Sequence, residues 1–191
     1  MINKGKKSIF LFRNLLRGLI WLAAIIAVFW FIKNKVDINY LSWLKPIYDN
    51  SFIVILIYIT SEVLIGIIPP EVFMIWALRN GIVFEYVILI LVLAVLSYIA
   101  GLIGYFFGRY LNTTLLYRFI RMKFLRKMER MLNIYGLYII IVAALTPLPF
   151  SGVSMLVGSV KYPLKKYILY SLFRFARFAI YSWFIWKVNA F

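Results

Sequence analysis

The chain has 191 residues, 65% of them hydrophobic and 19% aromatic, with a mean hydropathy of +0.93 and a formal charge of +16. That apolar fraction lies far above an ordinary soluble domain and reads as one integral membrane domain, while the absence of histidine and cysteine excludes disulfides, Cys/His metal sites and imidazole proton transfer. The basic residues flank apolar stretches, as expected beside anionic headgroups, so no nucleic-acid partner is expected.

Residues 1–14 carry Lys4, Lys6, Lys7 and Arg13 and read as a basic cytoplasmic N-terminus, followed by an apolar stretch to Ile32 with Arg17 as its only charge. No small-residue cleavage site follows it, so the expectation is a first transmembrane helix rather than a removable signal. Residues 33–50 are polar, mixed in charge and broken at Pro46, an external connection with room for one short interfacial helix.

The stretch "SEVLIGIIPPEVFMIWALRNG" at 61–81 sets Glu62, Pro69, Pro70 and Glu71 inside an apolar run. A Pro-Pro pair removes amide donors and clashes with the preceding turn, so one helix must end there and another begin. Freed backbone in lipid is tolerable only where protein or water covers it. The arms are an apolar 52–68 and a short 71–78, the second too short to cross, so a re-entrant hairpin near 52–78 is expected.

Residues 82–107 form the longest uninterrupted span, ended by Gly108 and Arg109, with Ala100, Gly101 and Gly104 where a neighbouring helix could approach closely. From 109 to 130 there are seven Lys or Arg against one Glu among apolar residues, the pattern of an amphipathic helix on an anionic leaflet. Residues 134–160 repeat the proline interruption with Pro147 and Pro149, a second expected hairpin. The chain closes on a span from Tyr162 to Val188 that contains Arg174 and Arg177.

If 52–78 and 134–160 dip in and return while the other three segments cross, fifteen Lys and Arg fall on the N-terminal side and five on the other. That bias fits the positive-inside rule. The expected fold is therefore all-α: spanning helices plus two opposed re-entrant hairpins, arranged as an inverted repeat with a site near the midplane. The domain division is 1–14, then 15–49, then a membrane domain over 50–187.

"AALTPLPFSGVSMLVGSV" followed by "LFRFARF", with "EVLIGIIPPEVFMIWA" and "GLIGYFFGR" before it, resembles the DedA/VTT superfamily of SNARE-associated membrane proteins and looks most like its YqaA-like branch. The resemblance covers about residues 50–186. It implies opposed re-entrant hairpins, residence in the bacterial cytoplasmic membrane, and translocation of phospholipids or polyprenyl phosphates, coupled in some members to the proton-motive force. It matches Glu62 and Glu71 to acidic residues of the first hairpin, Pro147 and Pro149 to the proline motif of the second, and Arg174 and Arg177 to the Arg-x-x-Arg of the last helix. Better-studied members carry arginines flanking the second hairpin's Pro-Gly, where this chain has Ala144 and Phe150.

The residues themselves point the same way. Arg174 and Arg177 share one helical face at i, i+3 and, deep in a span, each costs at least ~2.5 kcal/mol unless paired. Either they form permanent ion pairs with Glu62 or Glu71, or they present planar donors to a phosphate. Glu71 follows Pro70 at a helix start, where the dipole alone would favour it; Glu62 has no such local reason. Ser151, Ser154 and Thr146 suit freed backbone groups, with Ser151 also a candidate ligand contact, and Trp76, Trp183 and Trp186 suit interface anchoring or packing.

The expected function is a lipid translocase, flippase or scramblase, binding an anionic or phosphate headgroup through Glu62, Glu71, Arg174, Arg177 and Ser151, with Pro69, Pro70, Pro147 and Pro149 forming the hairpins. No cofactor and no metal is expected, proton coupling through a glutamate stays open, and a homo-oligomer is compatible with the sequence. The alternative is a non-transporting scaffold whose ion pairs only fix the fold. An intramembrane hydrolase is disfavoured by the lack of histidine and of a G-x-S-x-G elbow.

Overall fold

The computed structural model describes residues 45–64, 66, 68–111, 138–146 and 148–190, together with positions 12, 13, 16, 20, 24 and 27, which are helical and exposed. The basic stretch at 112–130 and Pro147 lie outside the described residues. Every regular element among them is a helix, with no strand, so the all-α expectation holds.

Lys45–Asp49 forms a short helix, α1, in the expected external connection. Asn50 then opens α2, Ser51–Val63, its side-chain oxygen accepting from the amides of Phe52 and Ile53 at 3.0 and 3.3 Å, an N-cap of the ordinary kind. The helix stops well short of the expected arm to residue 68. Gly66 sits at φ +70° and its amide donates to the Ser61 carbonyl at 2.7 Å. The Ser61 hydroxyl then accepts the Ile68 amide at 2.8 Å. This local turn, rather than the prolines, ends α2. Glu62 consequently lies in the last turn of a helix and not in mid-arm.

Pro69 and Pro70 start α3, Pro70–Ala77, with Glu71 in its first turn; proline is tolerated here because the first amides have no intrahelical partner. A 3₁₀ turn at Leu78–Asn80 and Gly81 at φ +66° reverse the chain into α4, Val83–Leu111. The helix runs past the expected stop at Gly108, for 29 residues or roughly 43 Å, more than a hydrocarbon core of roughly 30 Å requires.

One stripe of α4 is buried, through Tyr86, Ile90, Leu93, Ser97, Gly101, Tyr105 and Gly108. The opposite face exposes Phe84, Val87, Leu91, Val95, Ile99, Ile103 and Phe106, a lipid-compatible surface. Residues 138–145 form α5. After a break at 146–149, α6 runs over Phe150–Ser159 with Pro149 as its N-cap.

α6 crosses α4 with the two backbones touching. A Cβ on Gly108 would lie 1.8 Å from the Met155 carbonyl oxygen, and one on Gly158 would lie 1.9 Å from that of Tyr105. Gly101 and Gly104 likewise face Phe150 and the Ser151 carbonyl. The expected small-residue approach is therefore made, and by the second broken segment.

The last span is interrupted. α7, Leu164–Ser171, and α8, Phe173–Ala190, meet at a turn on Leu172, where the Ser171 hydroxyl bonds the Ile168 carbonyl at 2.9 Å, a local bond that competes with helical pairing and bends helices. Arg174 thus lies in the first turn of α8 and ten residues past the start of the stretch Leu164–Val188, as its expected depth in the span requires. Taken through the turn, Leu164–Val188 and Val83–Leu111 are the two stretches, among those described, long and apolar enough to cross a membrane.

Two packed clusters sit at opposite ends of α4. Trp76, Leu78, Tyr86, Ile90 and Ile185 gather at its start, and Ile140, Val157 and Tyr167 gather around Tyr105 toward its end.

Candidate functional site

Between those clusters lies a group of charges. Ser97 is the middle residue of the 29 in α4, roughly 21 Å from either end at the helical rise. Its hydroxyl donates to Glu62 Oε2 at 2.9 Å and accepts from Arg174 Nε at 2.5 Å. Arg174 Nη2 closes the triangle on Glu62 Oε1 and Oε2 at 2.8 and 2.9 Å. The guanidinium carbon stands 4.5 Å from the centre of the Phe150 ring and 5.8 Å from that of Phe178, a cation–π environment.

One turn along α8, Arg177 Nη2 donates to Glu71 Oε1 at 2.5 Å and Arg177 Nη1 to the Thr146 carbonyl at 2.7 Å. That carbonyl belongs to the break after α5, where the helix dipole and the loss of an intrahelical partner both favour a cation. Arg177 therefore joins the first broken segment, through the N-terminal turn of α3, to the second, through the C-terminal end of α5. The Ser151 hydroxyl makes another such link by donating to the backbone carbonyl of Glu62, itself freed by the end of α2.

All four charged side chains belong to residues with 1% of their surface exposed. Each pair meets across the fold, 112 residues apart for Arg174 and Glu62 and 106 for Arg177 and Glu71. The pairs are not equivalent. Both Glu62 oxygens are engaged, whereas Glu71 Oε2 has no hydrogen-bond partner among the described residues. Arg174 Nη1 and Arg177 Nε are likewise buried and unpartnered among them. Buried polar groups are normally satisfied, so one acceptor and two donors in this small region stand out as lacking a partner among the described residues.

Glu62, Glu71, Arg174, Arg177 and Ser151 are thus brought together. Pro69 and Pro70 occupy the first break and Pro149 the second, with Pro147 outside the described residues. Thr146 and Ser154 serve the backbone, their hydroxyls donating to the carbonyls of Val142 and Phe150 at 2.6 and 2.7 Å. Trp76 is buried, its indole N–H on the Tyr48 carbonyl at 2.8 Å; Trp183 is exposed and Trp186 packs beside Tyr86. No group of three or more acidic residues that could hold a metal occurs among the described residues.

Sequence reasoning missed Ser97. The one available signal was a lone serine near the centre of the longest apolar run. It also missed Arg79, whose Nη1 and Nη2 reach the Tyr48 carbonyl at 3.1 Å and Ser51 Oγ at 2.6 Å while its guanidinium covers the Trp76 ring at 4.3 Å. These bonds fasten the start of α2 to the end of α3.

A sequence model of the VTT domain matches residues 68–187, a range that holds Glu71, Ser97, Arg174 and Arg177 and begins just after Glu62. No curated protein and no solved structure matches the chain significantly.

Proposed function

Starting from the fact that the chain belongs to the VTT-domain family of DedA, SNARE-associated membrane proteins, we propose that it translocates a phosphate-bearing lipid across a bacterial cytoplasmic membrane. On this reading the chain is a transporter-like protein and not an enzyme, and its partners are anionic or phosphate headgroups. The observation that carries it is the pair of buried arginines at the midpoint of a span, each retaining an N–H unpartnered among the described residues. Guanidinium donors in a low-dielectric setting bind phosphate oxygens strongly. The N-termini of α3 and α6 add to this, since each starts on a proline and has no side-chain cap, leaving amides for an anion.

The proposal includes two re-entrant hairpins. Arg79 and Trp76 tie the end of the first broken segment to Tyr48 and Ser51 at its beginning, which favours a chain that enters and leaves at one place. In the second, Ile140 and Val157 pack in one cluster with Tyr162. With those closed ends at opposite ends of α4, the breaks meet in the middle, as an inverted repeat requires. The hairpins then part toward alternate faces, and protonation of a glutamate couples the movement to the proton gradient.

The test is reconstitution into vesicles doped with fluorescent phosphatidylglycerol, phosphatidylethanolamine or a polyprenyl phosphate, followed by quenching from outside, with and without a pH gradient. Flipping above protein-free vesicles, lost in Arg177→Gln, is expected.

A second reading is favoured by one observation: both ion pairs are fully formed, at 2.8 and 2.5 Å. On that reading the protein is a scaffold. Flipping equal to that of empty vesicles for every lipid would leave the scaffold standing, as would full function in the swapped pair Arg174→Glu with Glu62→Arg.

A further inference from the structure

The two ion pairs differ in ways the proposed translocation does not by itself require. Glu62 accepts three hydrogen bonds, two from Arg174 Nη2 and one from Ser97. Arg174 is held at Nε as well, and its guanidinium lies against Phe150, with only Nη1 unpartnered among the described residues. Every partner in that group sits on α2, α4, α6 or α8. Glu71 accepts one hydrogen bond, keeps Oε2 unpartnered among the described residues, and faces an arginine whose Nε is unpartnered too. That arginine's remaining bond goes to the carbonyl of Thr146, at the break of the other segment.

We propose that the pairs divide the work. Glu62–Ser97–Arg174 is a permanent staple fixing α2 and α8 to the centre of α4, with Ser97 its positioning residue, and Glu71–Arg177 is the contact that opens. The physical reason is the asymmetry in what opening costs. Breaking the staple strips the Glu62 carboxylate of all three of its hydrogen bonds and leaves the Arg174 guanidinium without an acceptor at Nε or Nη2, all in a dry interior. Opening the second pair gives up two hydrogen bonds, one to Glu71 and one to the Thr146 carbonyl, against four in the staple, and Glu71 Oε2 and Arg177 Nε already lack partners among the described residues. Because Arg177 alone holds both Glu71 and the Thr146 carbonyl, its release frees the first turn of α3 from the end of α5, while Ser151 on the Glu62 carbonyl keeps α2 and α6 joined. The moving parts are then α3 and α5, the inner arms beside the breaks. This division rests on the reading of the charge cluster as a working site.

The natural chain has no cysteine, so single-cysteine reporters read opening directly. Ala94, one turn before Ser97 and buried, reports the staple; Thr146, also buried, reports the Arg177 contact. A94C and T146C are each combined with S97A or E71Q, the protein is reconstituted in vesicles, and labelling by a small water-soluble maleimide is timed. With S97A, labelling of A94C is expected to rise about tenfold and that of T146C to stay within a factor of about two, whereas E71Q gives the reverse. R177K replaces E71Q if that variant does not fold, with the same expectation. Restoring the hydroxyl with S97T should return A94C to its protected state, which a mere volume effect would not do.

Equal exposure of both reporters by either substitution would overturn the division, since the charges would then open as one unit. So would E71Q exposing A94C alone, or S97A leaving A94C protected. Labelling needs no lipid movement, so a chain that labels as expected but flips nothing refutes the translocase and leaves the staple, and a chain that flips lipid with both reporters opening together does the opposite.

Discussion

The crossing of α4 and α6 gives the sharpest number in the fold. Gly108 meets the Met155 carbonyl and Gly158 meets the Tyr105 carbonyl, so each helix offers a glycine and, three residues before it, an acceptor to the other. Replacing Gly158 by Ala puts a methyl 1.9 Å from a backbone oxygen, where ordinary C···O contact begins at about 3.3 Å. The oxygen belongs to a helix and has no rotamer to escape into, so the helices must part by roughly 1.4 Å at the crossing. Overpacking of this kind costs about 1–3 kcal/mol, and the upper end applies because parting the helices also lifts Phe150 and Ser151 away from Gly101 and Gly104. For a chain of this length that lowers Tm by roughly 6–12 °C. Gly108→Ala should cost as much. The double variant should cost clearly less than the two added, because the first substitution has already opened the space that the second needs. Gly81→Ala is the contrasting case: nothing lies within 4 Å of its added Cβ, and only the strain of φ +66° remains, about 1 kcal/mol. Thermal unfolding of the detergent-purified protein, followed by fluorescence-detected size exclusion, reads all four. A Gly158→Ala protein that melts with the parent, or strict additivity of the pair, would refute the close crossing.

Arg79→Ala and Arg79→Lys should each destabilise the fold, Ala by about 2 kcal/mol or roughly 4–8 °C in Tm, since the charged hydrogen bonds and the Trp76 stack go together; Lys should rescue little because one ammonium does not reproduce the two-pronged hold on Tyr48 and Ser51. In the cysteine-free chain, K45C and N80C should label from one face of oriented vesicles and K161C and K165C from the other, and labelling of K45C and N80C from opposite faces would refute the first hairpin. Glu62→Leu alone should cost about 3–5 kcal/mol by stranding Arg174, whereas Glu62→Leu with Arg174→Met should be neutral or stabilising by about 1–4 kcal/mol. Melting curves measure both, and full lipid flipping in the double variant would show that the pair is dispensable.

The skeleton was legible because its causes are local. Proline removes a donor wherever it stands, so the breaks at Pro69-Pro70 and at Pro149 could be placed from the sequence, and small residues at Gly101 and Gly104 announce a close neighbour whatever that neighbour is. Helix ends were less legible. α2 ends at a turn built by Ser61 and Gly66, and the last span passes through a turn at Leu172; neither has a proline to announce it. Glu62, Glu71, Arg174 and Arg177 stood out because charge in an apolar run demands a partner. Which glutamate meets which arginine could not be read, since it depends on the rotation of helices more than a hundred residues apart. Ser97 was hidden for another reason. A serine inside a helix ordinarily bonds its own preceding turn, and nothing in its neighbours marks this one as turning toward α2 and α8.

Stability alone does not explain the centre of this protein. Burying four charges costs several kcal/mol per ion before any attraction returns it, and the fold already has an uncharged way to hold its helices together, the glycine crossing that brings α6 onto α4. Helix association in lipid rests on such packing and on hydrogen bonds, both available here without charge. The charges stand instead where two interrupted segments meet, and they are distributed unevenly: in one group both carboxylate oxygens are bound and Arg174 Nη1 alone is open among the described residues, while the other keeps both an open acceptor on Glu71 and an open donor on Arg177 beside the breaks. The Glu71 pair lies where backbone is already unwound, and on the proposed translocase reading that is where a ligand oxygen replaces a protein one at least cost.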